Sequence, residues 1–248
     1  MAVFFLHGDL SRLLRRKWRR ANPVILQITR AASIKDVIES FGLPHTEVGM
    51  IGWQGGAVDF SFPVADSHRY DIRPVQAPCD VTRPTLLRPQ PLASVRFLVD
   101  ANVGRLARYL RMAGFDTFYD RGLAGQDIIE LLQRDGRILL SRDLDVLKRK
   151  AVEHGRYVRA EDPEKQLREI VHFYGLAHQV KPFSRCLECN GTLRAIDKET
   201  VRHRLEPLTE RYYHTFSICP GCNKLYWKGS HIENMRQTFP ELAAAAND

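Results

Sequence analysis

The sequence predicts an α/β protein: a parallel sheet with flanking helices, preceded by a smaller β-rich domain and followed by a metal-binding cysteine module. Three observations carry this reading. Between residues 95 and 180, short apolar strands alternate with amphipathic segments at the spacing of βα units. The first 75 residues instead run β-β-α-β-β. Four of the five cysteines form two Cys-x-x-Cys pairs in the last third of the chain.

In order, AVFFLH is a candidate strand, SRLLRRKWRR a run with six basic residues in ten, and VILQIT a second strand. Ser33 is placed to cap a short helix with Ile34, Val37, Ile38 and Phe41 at helical spacing, and Gly42 to end it. EVGMIGWQGGAVDFSFPV predicts strands around a Gly-Gly turn, and Tyr70–Pro74 a last strand. That order suits a β-grasp, domain 1–75. Five prolines between Arg73 and Ser94 predict an extended, semi-rigid linker, 76–94.

In domain 95–180, VRFLVDAN, FDTFYD, RILLSRD and RYVRA are the strands. VGRLARYLRMAG, GQDIIELLQRDG, DLDVLKRKAVEHG and DPEKQLREIVHFYG are the helices, with Asp162 capping the last and Pro163 at its first position. Domain 181–248 holds the cysteines, and the 29 residues between the two pairs (190–218) are expected to form a β-hairpin arm.

Composition bounds the rest. With 248 residues, 44% hydrophobic and 27% charged, the chain is neither disordered nor fibrous. No apolar run reaches the roughly 18 residues of a membrane span, and the opening has neither a basic leader nor a cleavage site, so a cytoplasmic location is expected. A net charge of +8 favours polyanionic partners, nucleic acid first, or serves solubility alone.

Ligands of open α/β sheets bind beyond the carboxyl ends of the strands. Asp100, Asp120 and Asp143 end three strands here, and Asp127 and Glu130 share a face of the helix after Asp120. Carboxylates gathered at ~5 Å repel by about 3 kcal/mol a pair at an effective dielectric of ~20, so either some take up protons or a cation sits among them, for which Mg²⁺ or Mn²⁺ is suited. The alternative is that Asp100 and Asp143 cap the helices that follow them. Arg105, Arg108 and Arg111 recur every three residues, and Arg142 lies beside Asp143; such guanidinium groups either track phosphates or form a solvated face. No nucleophilic triad is present. Cys186, Cys189, Cys219 and Cys222 predict a closed, structural zinc site, with Asn190 and Asn223 suited to the left-handed turn of a knuckle. Tyr226, Trp227, Lys228 and His231 follow it as a base-stacking surface or as packing over the knuckle. Cys79 reads as an ordinary free thiol.

FLVDANVGRLARYLRMAGFDTFYD, RILLSRD, RCLECNGTL and CPGCNKLYWKGSH, in that order, resemble the mutator-seven (Mut-7) C-terminal RNase domain family, a PIN-like nuclease fold fused to a zinc ribbon. The resemblance spans about residues 95–240. GLPHTEVGMI and YDIRP in the first segment resemble the ubiquitin-like domain of ThiS/MoaD type found ahead of it. The family implies metal-dependent RNA cleavage, with Asp100 and Asp143 as metal-holding acids, Asp127 next, and Asp120 less closely matched. Arg105, Arg108 and Arg142 would meet the phosphates and the ribbon would grip RNA, tRNA or the ribosome included. Gly55-Gly56 is internal and the domain runs on into RPVQAP, which excludes sulfur transfer through a terminal thiocarboxylate; a protein- or RNA-docking role is expected instead. SRLLRRKWRR then serves either as an RNA strip with Trp18 stacking or as an exposed face. The competing function is a non-catalytic RNA- or ribosome-binding adaptor.

Overall fold

The computed structural model describes residues 1–123 and 125–227. Its N-terminal domain is a five-stranded sheet in the order β2-β1-β5-β3-β4, where β1 is Ala2–Leu6, β2 Val24–Leu26, β3 Val48–Trp53, β4 Gly56–Ala57 and β5 Arg69–Pro74. Strands β1 and β5 are parallel and the other pairs antiparallel, as in a β-grasp. Helix α1 (Ile34–Ser40) is capped by the Ser33 hydroxyl, which accepts from the Asp36 amide, and Gly42 at φ +100° ends it. Gln54 and Gly55 take the positive φ of the β3–β4 turn. Phe4 is stacked on Tyr70 and edge-on to Phe41 in the core.

The central domain is a four-stranded, fully parallel sheet in the order β7-β6-β8-β9: β6 is Phe97–Val99, β7 Thr117–Phe118, β8 Ile138–Ser141 and β9 Gly155–Tyr157. The middle strands β6 and β8 are buried throughout, which is why they read as unbroken apolar runs. Phe97, Val99, Ile138 and Leu140 share one core with helices α2 (Gly104–Met112) and α5 (Pro163–Phe173). Leu98 and Leu139, of opposite parity, share another with α3 (Gly125–Asp135) and α4 (Leu144–Leu147). Asp162 caps α5 through the amides of Glu164 and Lys165, with Pro163 in its first turn.

Helix α4 is one turn long, not the dozen residues expected from DLDVLKRKAVEHG. Buried Val152 must reach the α3 core, and β9 must run close past α4; a Cβ on Gly155 would stand 2.8 Å from Leu147 and 3.2 Å from Thr46. The proline-rich stretch also differs from a free spacer. It holds no helix or strand, but Val81 and Leu87 are buried, the Cys79 amide donates to Phe173, and Arg88 donates to the carbonyls of His45, Thr46 and Val48. Burial pushes the half-buried Cys79 thiol upward in pKa, which disfavours its thiolate form.

The third module is an antiparallel sheet of β10 (Arg194–Ile196), β11 (Phe216–Ile218) and β12 (Leu225–Trp227). Two short helices, α6 (Lys198–Val201) and α7 (Pro207–Tyr212), connect β10 to β11 where a plain hairpin arm was expected. None of the described helices is long and apolar enough to cross a membrane.

Candidate functional sites

The sheet order changes direction between β6 and β8, the two strands flanked by β7 and β9 respectively, and this switch point is where α/β sheets place ligands. Asp100 follows β6 and Asp143 follows β8. Ser141, fully buried, joins them: its hydroxyl donates to Asp100 Oδ2 at 2.6 Å and accepts from the Asp143 amide at 2.9 Å. Asn102 closes the ring, donating to Asp100 Oδ2 at 2.7 Å and accepting from the Arg142 amide at 2.9 Å. Asp100 Oδ1 accepts only the Ala101 amide, at 2.7 Å, and Asp143 spends Oδ1 on the amides of Asp145 and Val146. Asp143 is therefore also the cap of α4, and Asp100 caps the 3-10 turn Ala101–Val103 through the Ala101 amide while Ser141 and Asn102 hold its other oxygen. A carboxylate oxygen offers two lone pairs, so Oδ1 of Asp100 and Oδ2 of Asp143 retain acceptor capacity.

The wider gathering of acids expected at this edge does not form. Asp120 ends β7 but turns to the Gly122 amide, and Asp127 is exposed in the first turn of α3. Among the described residues no three carboxylates lie within reach of one ion. Strand ends share an edge, but which way each carboxylate turns is set by local amide partners such as that of Gly122 for Asp120.

The arginines divide. Arg105 and Arg108 are exposed on α2, which leaves directly from the Asp100 turn. Arg111 is buried: its Nε donates to Thr117 and its Nη1 to the carbonyls of Leu187 and Glu188. Arg142, expected to meet substrate, turns its guanidinium to the carbonyls of Ala160 and Arg159 and to Glu161. Sequence spacing cannot distinguish these cases, because carbonyl partners lie in distant loops.

The cysteine site is the more complete. The four Sγ atoms of Cys186, Cys189, Cys219 and Cys222 lie within 4.8 Å of one another. A tetrahedron with Zn–S of ~2.3 Å has edges of about 3.8 Å, so zinc fits this donor set. Asn190 (φ +66°) and Asn223 (φ +60°) make the left-handed turns of the two knuckles. A Cβ on Gly191 would stand 3.1 Å from Cys219 Sγ, so the backbone cradles the sulfurs. Although burial raises the Cys186 thiol, the Cys189 amide and the Tyr226 hydroxyl bring it down to about 6. Tyr226 is thus part of the knuckle, and half-exposed Trp227 lies beside Tyr213 and Phe216. Lys228 and His231 lie outside the described residues.

Two family models match the chain: the Mut7-C RNAse domain over residues 95–239 and the Mut7-C ubiquitin domain over residues 1–80. The chain belongs to the Mut7-C family. No curated protein and no solved structure matches it. In this Mut7-C chain the RNAse domain model takes in both the parallel sheet and the four-cysteine module, and the ubiquitin model covers the β-grasp.

Proposed function

We propose that the protein is a divalent-metal-dependent ribonuclease that hydrolyses RNA phosphodiester bonds at the β6/β8 switch point. The observation that carries this is the Asp100–Ser141–Asp143 arrangement: two acidic residues from separate parallel strands, joined by one buried hydroxyl, in a domain of the Mut7-C RNAse type. Asp100 and Asp143 would hold Mg²⁺ or Mn²⁺ through their remaining oxygens; two carboxylates completed by water and substrate phosphate is the usual way such hard ions are bound. The ion would supply an activated water and neutralise charge on the phosphoryl group under attack.

The protein's own groups have separate tasks in this reading. Ser141 and Asn102 fix the Asp100 carboxylate, so it needs no reorientation. Asp120 and Asp127 stand apart from the pair and act through water. Arg105 and Arg108 bind flanking phosphates, while Arg142 shapes the loop after β9. The zinc ribbon holds RNA beyond the far end of α2.

Asp100→Asn and Asp143→Asn test the assignment, since Asn also caps helices and both variants should fold. Each is expected to lower Mn²⁺-dependent cleavage of single-stranded RNA at least about 100-fold, the order of a lost key electrostatic group, with RNA affinity within twofold of wild type. Wild-type rates in both would remove the site. RNA binding without cleavage by the wild-type protein in any divalent ion would instead favour the adaptor reading, in which Asp143 only caps α4.

A further inference from the structure

The basic run Arg12–Arg20 belongs to the ubiquitin-like domain by sequence, but its position relates it to the carboxylates. Its apolar residues turn inward: Leu10, Leu13 and Leu14 are buried in the N-terminal core. Trp18 is half-buried, edge-on to Phe41 with the Lys17 ammonium over its ring, so it is no stacking platform. Arg12, Arg15, Arg16, Lys17, Arg19 and Arg20 are all exposed. The run therefore presents cations without an apolar centre. Protein interfaces have such a centre and membrane-lying segments an exposed apolar face, so the chemistry that fits is a phosphate backbone.

Two contacts of the residues flanking each site, and the charge of Arg15 felt at Asp145, put this run beside the switch point. Leu144, the residue after Asp143, packs against the N-terminal core. Asp9, just ahead of the run, pairs with Arg159 in the loop after β9, the same loop that Arg142 holds. The Asp145 carboxyl is held below the usual carboxylate range first by Lys148 and further by the charge of Arg15. The placement is firm, because fully buried Glu47 fastens the N-terminal domain to Arg156, Arg159 and the Tyr157 amide of β9.

We propose that Arg12–Arg20 is an RNA-backbone binding surface, continuous with the Asp100/Asp143 site, so that the ubiquitin-like domain is a substrate-binding part of the nuclease. This rests on the ribonuclease reading above for its catalytic consequence, but not for RNA binding itself. A strand crossing the site then meets this run on the β9 side and Arg105 and Arg108 on the other.

The test uses the full, zinc-loaded chain carrying Asp100→Asn and a fluorescent single-stranded RNA, with anisotropy read from 50 to 300 mM salt. Arg15→Gln/Arg16→Gln is compared with Arg83→Gln/Arg134→Gln, a pair of equal charge in which Arg134 lies at the opposite edge of the sheet. A second pair, Arg12→Gln/Arg20→Gln, guards against a folding defect in the first, and circular dichroism checks each. Each single-strand phosphate contact adds about 0.7 to the slope of log K against log salt. The strip pairs are therefore expected to lower the slope by about 1.4 and weaken binding several-fold at low salt, with the control unchanged. In the wild-type background, KM for a long RNA should rise at constant kcat while a dinucleotide is cut as before. Equal slopes in strip and control variants, or an acidic protein bound where RNA is not, overturn the proposal. Strip-dependent binding with no cleavage by the wild-type protein leaves the surface standing and removes the nuclease reading.

Discussion

The two outer strands of the parallel sheet solve one problem with different chemistry. An edge strand presents unpaired amides. On β7 the Thr117 amide donates to Asn190 Oδ1 of the zinc ribbon at 3.0 Å; on β9 the Tyr157 amide donates to Glu47 Oε1 of the ubiquitin-like domain at 2.7 Å. The ribbon side is built largely from the ribbon's dipoles, Asn190 and the knuckle carbonyls of Leu187 and Glu188 that receive Arg111, with one 3.4 Å ion pair between Arg185 and Asp116. The β9 side is built from a buried charge, the Glu47 carboxylate between the Arg156 and Arg159 guanidinium groups. Asn190 adjoins Cys189 in its knuckle, so docking of the ribbon is expected to depend on a metal held by the four cysteines. Glu47 belongs to a domain with its own core and needs none.

Metal removal should break this comparison most severely. Chelation or Cys219→Ser is expected to unfold residues 185–227, at a cost of about 10 kcal/mol or more. Hydrogen exchange should show the Thr117 amide deprotected and the Tyr157 amide unchanged. Glu47→Gln comes next. It leaves buried Arg156 with only Glu169 at 4.0 Å and half-buried Arg159 with Asp9, at roughly 3 kcal/mol, the lower end for breaking a buried pair. Chemical denaturation should then resolve the N-terminal domain as a separate transition, with zinc content intact.

Asn190→Gly keeps the left-handed turn but deletes the bonds to Thr117 and Asp116. A loss of about 1–2 kcal/mol is expected, read as faster Thr117 exchange in a zinc-loaded ribbon. The smallest effect is that of pH on the β9 side. Burial, with the charge of Arg88 adding to it, holds His154 below the usual histidine range despite its bond to the Gln90 carbonyl. Near and below its ordinary value of 6.5 the unfolded chain binds the proton more readily than the folded one, so stability should decline as pH falls through that value. His154→Gln should flatten the decline in a urea titration from pH 7.5 to 5.5; an equal slope in both proteins would acquit His154.

Much of this was legible beforehand. The elements of the β-grasp and of the central sheet follow from apolar periodicity, Ser33, Gly42, Asp162 and Pro163, because caps and burial patterns act within a few residues. The four cysteine donors were readable for the same reason: two sulfurs three residues apart meet on one turn. Four things were not readable. The proline-rich stretch packs because Arg88 finds carbonyls 40 to 43 positions away. Arg111 turns to carbonyls 76 and 77 positions away and Arg142 to carbonyls 17 and 18 away, neither of which spacing along a helix or strand reveals. Glu47 showed no signal at all, since its partners Arg156 and Arg159 lie 109 and 112 positions along the chain.

What the amino-acid order determined alone is the chemical inventory and the local turns that display it: thiolates in knuckles, acids after strands, cations in a run. Tertiary structure decided which of these meet. It joined Asp100 to the Asp143 amide through Ser141, turned Asp120 to the Gly122 amide, and docked the domain that carries the basic run against β9. The reason is range: caps and knuckles close over three or four residues, whereas a sheet edge assembles residues whose proximity exists only once strand order and domain docking are settled.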